Sequence, residues 1–284
     1  MTMKKVFKSL FVIIVAMITF AGCAKQEIDA PATVETKTVQ FFAESIETKT
    51  AFGTPVGTPD GTTYPTLWTE NDKSVKILLN LNEEVVADIT SVSEDFTKVA
   101  FNADVTIKED GGSTAPYTFS VISPATTYLG KNEERFAVTI PTTQTPTANS
   151  VDEAAQILYA VTESFEELPE SVSLNFKHFT AYGKLSFVNL NLGGAKVTSV
   201  AITSSVDFAN RWNYFVADGR FEENSGASTI TLKTSATENL WFACAPVGDM
   251  NEQTLTFTVN TDKGPLSKTV TLGEKHKFEA GKIA

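Results

Sequence analysis

The stretch Thr254-Leu255-Thr256-Phe257-Thr258-Val259-Asn260 alternates polar and apolar residues without a break. A β-strand turns successive side chains to opposite faces, so a strict period of two places Leu255, Phe257 and Val259 on one face and the threonines on the other. The same period recurs along the chain. Phe136, Val138 and Ile140 share a face in RFAVTIP; Val75, Ile77, Leu79 and Leu81 share one in SVKILLNL; Leu266, Val270 and Leu272 share one in LSKTVTL. Turn-forming clusters separate the runs, at Pro59-Asp60-Gly61, Glu109-Asp110-Gly111-Gly112, Leu192-Gly193-Gly194 and Asp262-Lys263-Gly264-Pro265. Gly and Asn/Asp provide the backbone freedom and local hydrogen bonds that tight turns need. About fifteen candidate strands result, which suits an all-β sandwich architecture.

Helix is scarce. Ser150-Val151-Asp152-Glu153 fits a capping box, predicting a short helical turn near 151–155, while QILYAVT just after it reads equally well as a strand. The acidic segment TESFEELPES at 162–171 predicts a boundary between an N-terminal sandwich domain at 38–168 and a C-terminal one at 169–284. PTTQTPTANS at 141–150 is a competing boundary.

The N-terminus is different in kind. Lys4, Lys5 and Lys8 precede an apolar run from Leu10 to Phe20, eleven residues long. A helix needs about 20 residues to cross a bilayer, so this run is too short. A basic start, a short apolar core and small residues at the end predict a signal peptide over residues 1–22. Phe20-Ala21-Gly22-Cys23 resembles the bacterial lipobox, which would make Cys23 the lipidated first residue of the mature chain. An ordinary signal peptide followed by a chance cysteine is the competing reading. Residues 23–37 hold no large apolar cluster and are expected to be a tether. Each buried lipid methylene contributes about 0.8 kcal/mol, so two or more acyl chains would hold the protein on a membrane.

Charge narrows the classes of partner. The full chain carries −11, and the first 22 residues hold three lysines and no acid, leaving −14 from Cys23 onward. Such a surface repels nucleic acid and anionic lipid headgroups. With Cys23 modified, Cys244 has no second cysteine for an internal disulfide.

Catalytic constellations are missing from the sequence. The two histidines, His178 and His276, stand apart from any zinc-ligand spacing, and there is no nucleophile elbow, phosphate loop, dinucleotide fingerprint or EF-hand loop. Cys244, in LWFACAPV, reads as an inert core thiol. The pairs Glu83-Glu84, Glu109-Asp110, Glu133-Glu134 and Glu166-Glu167 read as solvated charge. Trp212 and Tyr214 are two residues apart, hence on one strand face. They are the candidate platform for a sugar ring or a partner, with Trp241 a weaker one; packing in a core is the alternative. No cofactor or metal is expected.

The strand runs VQFFAESIETKT, LWTENDKSVKI, YTFSVISPA, FAVTIPTTQTP, LNFKHFTAYGKLSFVN, VTSVAI, LWFACAPV, LTFTVNTDKGPLSKTV and FEAGKI follow one another from residue 39 to the end. In that order, behind a lipobox, they resemble the fimbrillin-like (Mfa-like) surface lipoproteins, relatives of the type V pilins. The resemblance implies two tandem transthyretin-like β-sandwich domains, no enzymatic activity, and export to the outer membrane surface with palmitate-type lipid on Cys23. It implies partners among pilin subunits or host and bacterial surface ligands, reached through β-strand complementation and loops. In that scheme a protease removes a first strand, and another subunit's strand fills its groove. TVQFFAESI at 38–46 stands in that strand's place, with Val39, Phe41, Ala43 and Ser45 on one face and Phe42, Glu44 and Ile46 on the other. The arginines are Arg135, Arg211 and Arg220, none in the N-terminal arm where an Arg-specific cut would fall. Only Gly281-Lys282-Ile283-Ala284 remains as a tail to donate. The expectation is therefore an anchor, tip or accessory fimbrial subunit, or an adhesin, and not a shaft subunit. A glycan- or ligand-binding surface lipoprotein on the same scaffold is the alternative.

Overall fold

The computed structural model describes residues 34–44, 51–52, 56–58, 61–63, 66–69, 72–108 and 114–284. The expected signal segment, Cys23 and most of the tether lie outside these residues. The chain is all-β. The strands of its first half are β1 (Val34–Glu44), β2 (Ala51–Phe52), β3 (Val56–Thr58), β4 (Gly61–Thr63), β5 (Thr66–Leu67), β6 (Ser74–Leu79), β7 (Glu83–Val92) and β8 (Lys98–Lys108). They are followed by β9 (Phe119–Ser123), β10 (Tyr128–Lys131), β11 (Arg135–Ile140), β12 (Thr143–Gln144), β13 (Leu158–Val161), β14 (Ser171–Leu174) and β15 (Lys177–His178). The second half adds β16 (Ala181–Leu185), β17 (Val197–Ser204), β18 (Ala209–Phe215), β19 (Phe221–Ala227) and β20 (Thr229–Leu232). It ends with β21 (Leu240–Cys244), β22 (Gly248–Asp249), β23 (Thr254–Thr261), β24 (Gly264–Thr271) and β25 (Lys277–Phe278).

One large sheet runs β14-β1-β8-β7-β6-β9-β13-β15. Neighbouring strands lie about 4.8 Å apart, so β1 and β9 would be about 19 Å apart if this sheet were flat. Instead the rings of Phe41 in β1 and Phe119 in β9 are 5.2 Å apart, edge to face. The sheet folds over at β7. The first part of β7 pairs with β6, from Glu83 to Asp88, and the last part pairs with β8, with a register shift between Ile89 and Ser91. Such an irregularity bends a strand and lets it serve two layers. The first core fills the space between the layers, with Val39, Phe41, Phe101 and Val105 from one and Val75, Ile77, Phe119 and Val121 from the other.

The second core lies among the sheets β10-β11-β18-β19 and β12-β20-β17-β23-β24 and the pair β16-β21. It also includes Leu78, Ile122 and Tyr159, on the reverse face of β6, β9 and β13. Those three strands are therefore covered on both sides, and all five residues of β9 are buried. A strand covered on both faces has no polar side to show, so alternation disappears there.

Strands cross the expected division at 168/169 in both directions. β14 lies beyond it and pairs in parallel with β1. β11 lies before it and pairs with β18, and β12 pairs in parallel with β20. A single cut at that point does not separate the two cores: side-chain alternation specifies faces, and carries no signal for which distant strand becomes a neighbour. The strand expected from residue 38 starts at Val34, because β8 pairs with it residue by residue from Lys98 back to Lys108. Residues 34–37 are thus strand and not tether.

The helical turn is a 3-10 segment at Glu153–Ala155. Its cap is Asp152, whose Oδ1 accepts from the Ala154 amide at 2.9 Å; the box expected from Ser150 is not what holds it. Leu158–Val161 resolves the ambiguous segment after it as strand β13.

Candidate functional site

The alternation in β1 sorts its side chains sharply. Val39, Phe41 and Ala43 are at most 1 % exposed, whereas Phe42 is 42 % exposed. Phe41 stacks on Phe101 of β8, with centroids 5.2 Å apart and planes 11° from parallel, and meets Phe119 edge-on. Full burial of one such side chain contributes roughly 1.5–3 kcal/mol, and the aromatic pairings add about 0.5–1.5 kcal/mol each. Phe42 apart, the outer face carries polar side chains, with the Thr38 hydroxyl donating to Asp104 Oδ1 at 2.6 Å. Ser45 and Ile46, also assigned to this strand, lie outside the described residues.

The backbone of β1 is held on both sides. β8 pairs antiparallel with all eleven of its residues, and β14 pairs in parallel from Gln40 to Ala43. The Gln40 amide donates to Glu170 O at 3.0 Å where β14 begins. β1 is thus an interior strand. Its departure would leave a slot one strand wide, walled by β8 and β14 and floored by Phe101 and Phe119. An incoming segment would have to run in the direction of β1 to satisfy both walls, and would need apolar side chains at alternate positions.

The expected aromatic platform does not form. Trp212 and Tyr214 share a face, but each is 6 % exposed and belongs to the second core. The Trp212 indole donates to Ala209 O at 3.2 Å. The Tyr214 ring lies 4.3 Å from Tyr159 and 5.2 Å from Phe136. Burial, then the hydroxyl of Tyr214, pushes the Tyr159 phenol well above its usual range. Trp241 is 1 % exposed, with the Lys184 ammonium 4.6 Å from its ring centroid. None of the three offers an open face to a sugar. A period of two places residues on a common face, and a second sheet covers that face here.

Other singled-out residues serve packing and structure. His178 is buried, its Nδ1 2.7 Å from the Tyr182 hydroxyl. Cys244 is a free, fully buried thiol, and burial pushes its pKa up, away from the reactive thiolate. Glu83 Oε1 accepts from the Thr106 amide at 2.7 Å, tying β7 to β8. Partial burial pushes the Glu84 carboxyl up, but hydrogen bonds from Lys76 at 2.9 Å and Tyr128 at 2.7 Å outweigh it and leave it below the ordinary value. Among the described residues no group of three His, Cys, Asp or Glu side chains could hold a metal ion. No helix among them is long and apolar enough to cross a membrane.

No protein-family model matches this chain, and no curated protein does. Several solved structures are similar at low identity. A candidate cell adhesion protein from Bacteroides ovatus is similar at 13 % identity and a TM-score of 0.47, over 87 % of this chain and 89 % of that one. A candidate cell adhesion protein from Bacteroides fragilis is similar at 9 % identity and a TM-score of 0.42, over 87 % and 91 %. A candidate polysaccharide-binding protein from Bacteroides thetaiotaomicron is similar at 6 % identity and a TM-score of 0.39, over 80 % and 78 %.

Proposed function

We propose that this protein is a non-enzymatic cell-surface lipoprotein of fimbrial type. It acts in pilus anchoring or assembly, as an anchor, tip or accessory subunit, or in adhesion, and it engages partners by strand complementation at the β1 slot and by loop contacts. The lipid on Cys23 holds it at the outer membrane. The observation that carries this reading is the seating of Val39, Phe41 and Ala43 in an aromatic-floored slot between two flanking strands. Strand exchange requires such a slot, because main-chain pairing gives affinity and the alternate pockets give specificity.

The test is a pull-down of the lipidated chain from intact cells, with and without residues 38–50. Deleting residues 38–50 empties the slot that a partner's strand would fill, so pilin-type subunits should co-purify with the deletion in greater yield than with the full chain. Recovery of the same subunits in equal or lower yield from the deletion, or of none from either, would remove the basis for complementation. Metabolic labelling with an alkyne fatty acid tests the anchor: label should enter the wild type and be absent from Cys23→Ala.

A further inference from the structure

A cleft of about 610 Å³ opens where four segments meet. They are the turn after β6, the approach to β9, the tip of the β10–β11 hairpin and the tip of the β18–β19 hairpin. The volume falls in the range of small-molecule sites, roughly 300–1,000 Å³. Its walls are held by their own hydrogen bonds. The Asn80 side chain donates to Thr114 O at 2.8 Å and accepts from the Thr118 amide at 2.7 Å. Asn132 Oδ1 accepts from the amides of Glu134 and Arg135 at 3.0 Å each, and the Val216 amide donates to Glu134 O at 3.1 Å, joining one hairpin tip to the other. Leu81 adopts a left-handed backbone, φ 49°, in the wall. That conformation costs a side-chain-bearing residue of order 1–2 kcal/mol.

The lining has two kinds of surface. Leu81, Pro116, Val216 and Ala217 are apolar; Glu133, Glu134 and Asp218 are carboxylates. Ser120, only 2 % exposed, also belongs to the lining. The one cation of the lining, Arg220, already pairs with Asp218 and Glu222, and its guanidinium lies 4.0 Å from the Phe215 centroid. The rim is therefore acidic, and ionised carboxylates accept hydrogen bonds only. A ligand must bring donors, an acceptor or donor for Ser120, and apolar faces for the rest. Anionic ligands are repelled.

We propose that this cleft binds a neutral oligosaccharide. Sugar hydroxyls donate to the carboxylates and exchange a hydrogen bond with Ser120, while the C–H faces of the rings lie on Leu81, Pro116 and Val216. The site is separate from the β1 slot, so it stands or falls independently of strand complementation.

Calorimetric titration of the whole chain with maltohexaose, cellohexaose, xylohexaose and mannohexaose tests it, with hexagalacturonate and hexalysine as charged probes. At least one neutral hexasaccharide should bind with a Kd of about 1 mM or tighter. Ala217→Trp, at an exposed tip, should fill the cleft and weaken binding at least about tenfold with an unchanged melting temperature. Ser120→Ala should weaken it by a smaller factor. No neutral binding, binding of hexalysine or hexagalacturonate alone, or neutral binding that Ala217→Trp leaves intact would overturn the proposal. None of these results would change the outcome of the deletion pull-down.

Discussion

β1 and β24 are both long strands with alternating sequences, and they end in opposite situations. β1 lies between β8 and β14 with three apolar side chains buried. Among the described residues β24 is the last strand of its sheet and pairs with β23 alone, and it leaves Pro265, Leu266, Ser267, Lys268 and Thr269 exposed. The difference lies in what covers each strand. β24 carries a proline and a lysine, residues that discourage another strand from adding to an open edge. β1 has neither within its two-sided pairing from Gln40 to Ala43. The strand suited to exchange is the covered one, and the open edge is guarded.

This contrast can be broken in order of expected effect. Phe41→Ala should lower unfolding free energy by about 3–5 kcal/mol, measured by urea denaturation. A loss below about 1 kcal/mol would mean that the slot is looser than its ring contacts indicate. Gly183→Ala probes the other core, because a Cβ there would collide with the Phe242 ring. It should destabilise by about 1–3 kcal/mol through overpacking. Phe42→Ala, one residue from Phe41, and Leu266→Ala in β24 should each change stability by about 1 kcal/mol or less. If Phe42→Ala matched Phe41→Ala, the inside and outside of β1 would have been misassigned.

The smallest effect concerns the turn that joins β7 to β8. The Ser93 and Thr97 hydroxyls and the Thr97 amide hold the Asp95 carboxyl down at about 2, against an ordinary 3.8. A carboxyl with a depressed folded value stabilises above its unfolded pKa, and that contribution fades as pH falls through the folded one. The urea midpoint of the wild type should therefore drop between about pH 4 and pH 2, and Asp95→Asn should lack that part of the drop. The group is fully exposed, so the effect is a small inflection.

Much of the strand pattern was legible in the residues. Phe136, Val138 and Ile140 are all fully buried on the face that alternation assigned to them, as are Val75, Ile77 and Leu79; Leu81, assigned to the same face as those three, instead lies in the turn after β6 and packs against the second core. Val39, Phe41 and Ala43 also face inward together. Leu78 was not legible, because burial of both faces of β6 depends on a core assembled from residues spread from Ile122 to Phe278. Trp212 and Tyr214 were placed on the correct shared face, but whether that face was packed in a core or open to a ligand was not legible, since a period says nothing of coverage. The division at 168/169 failed to match the cores for a related reason: its acidic, proline-containing segment marks a surface connection, while β14 just beyond it returns to the first sheet. The cleft had no local signal at all, being drawn from four segments between Asn80 and Arg220.

The parallel pairing of β1 with β14 has a consequence in time. Gln40 faces Ser171, about 130 residues downstream. A chain made or exported N-terminus first presents β1 and β8 well before the second wall of the slot exists. Contacts of such long sequence separation are closed late and slowly. Until then β1 is an edge, open to any strand that arrives first, and the order of emergence competes with the finished topology in deciding which strand occupies that place.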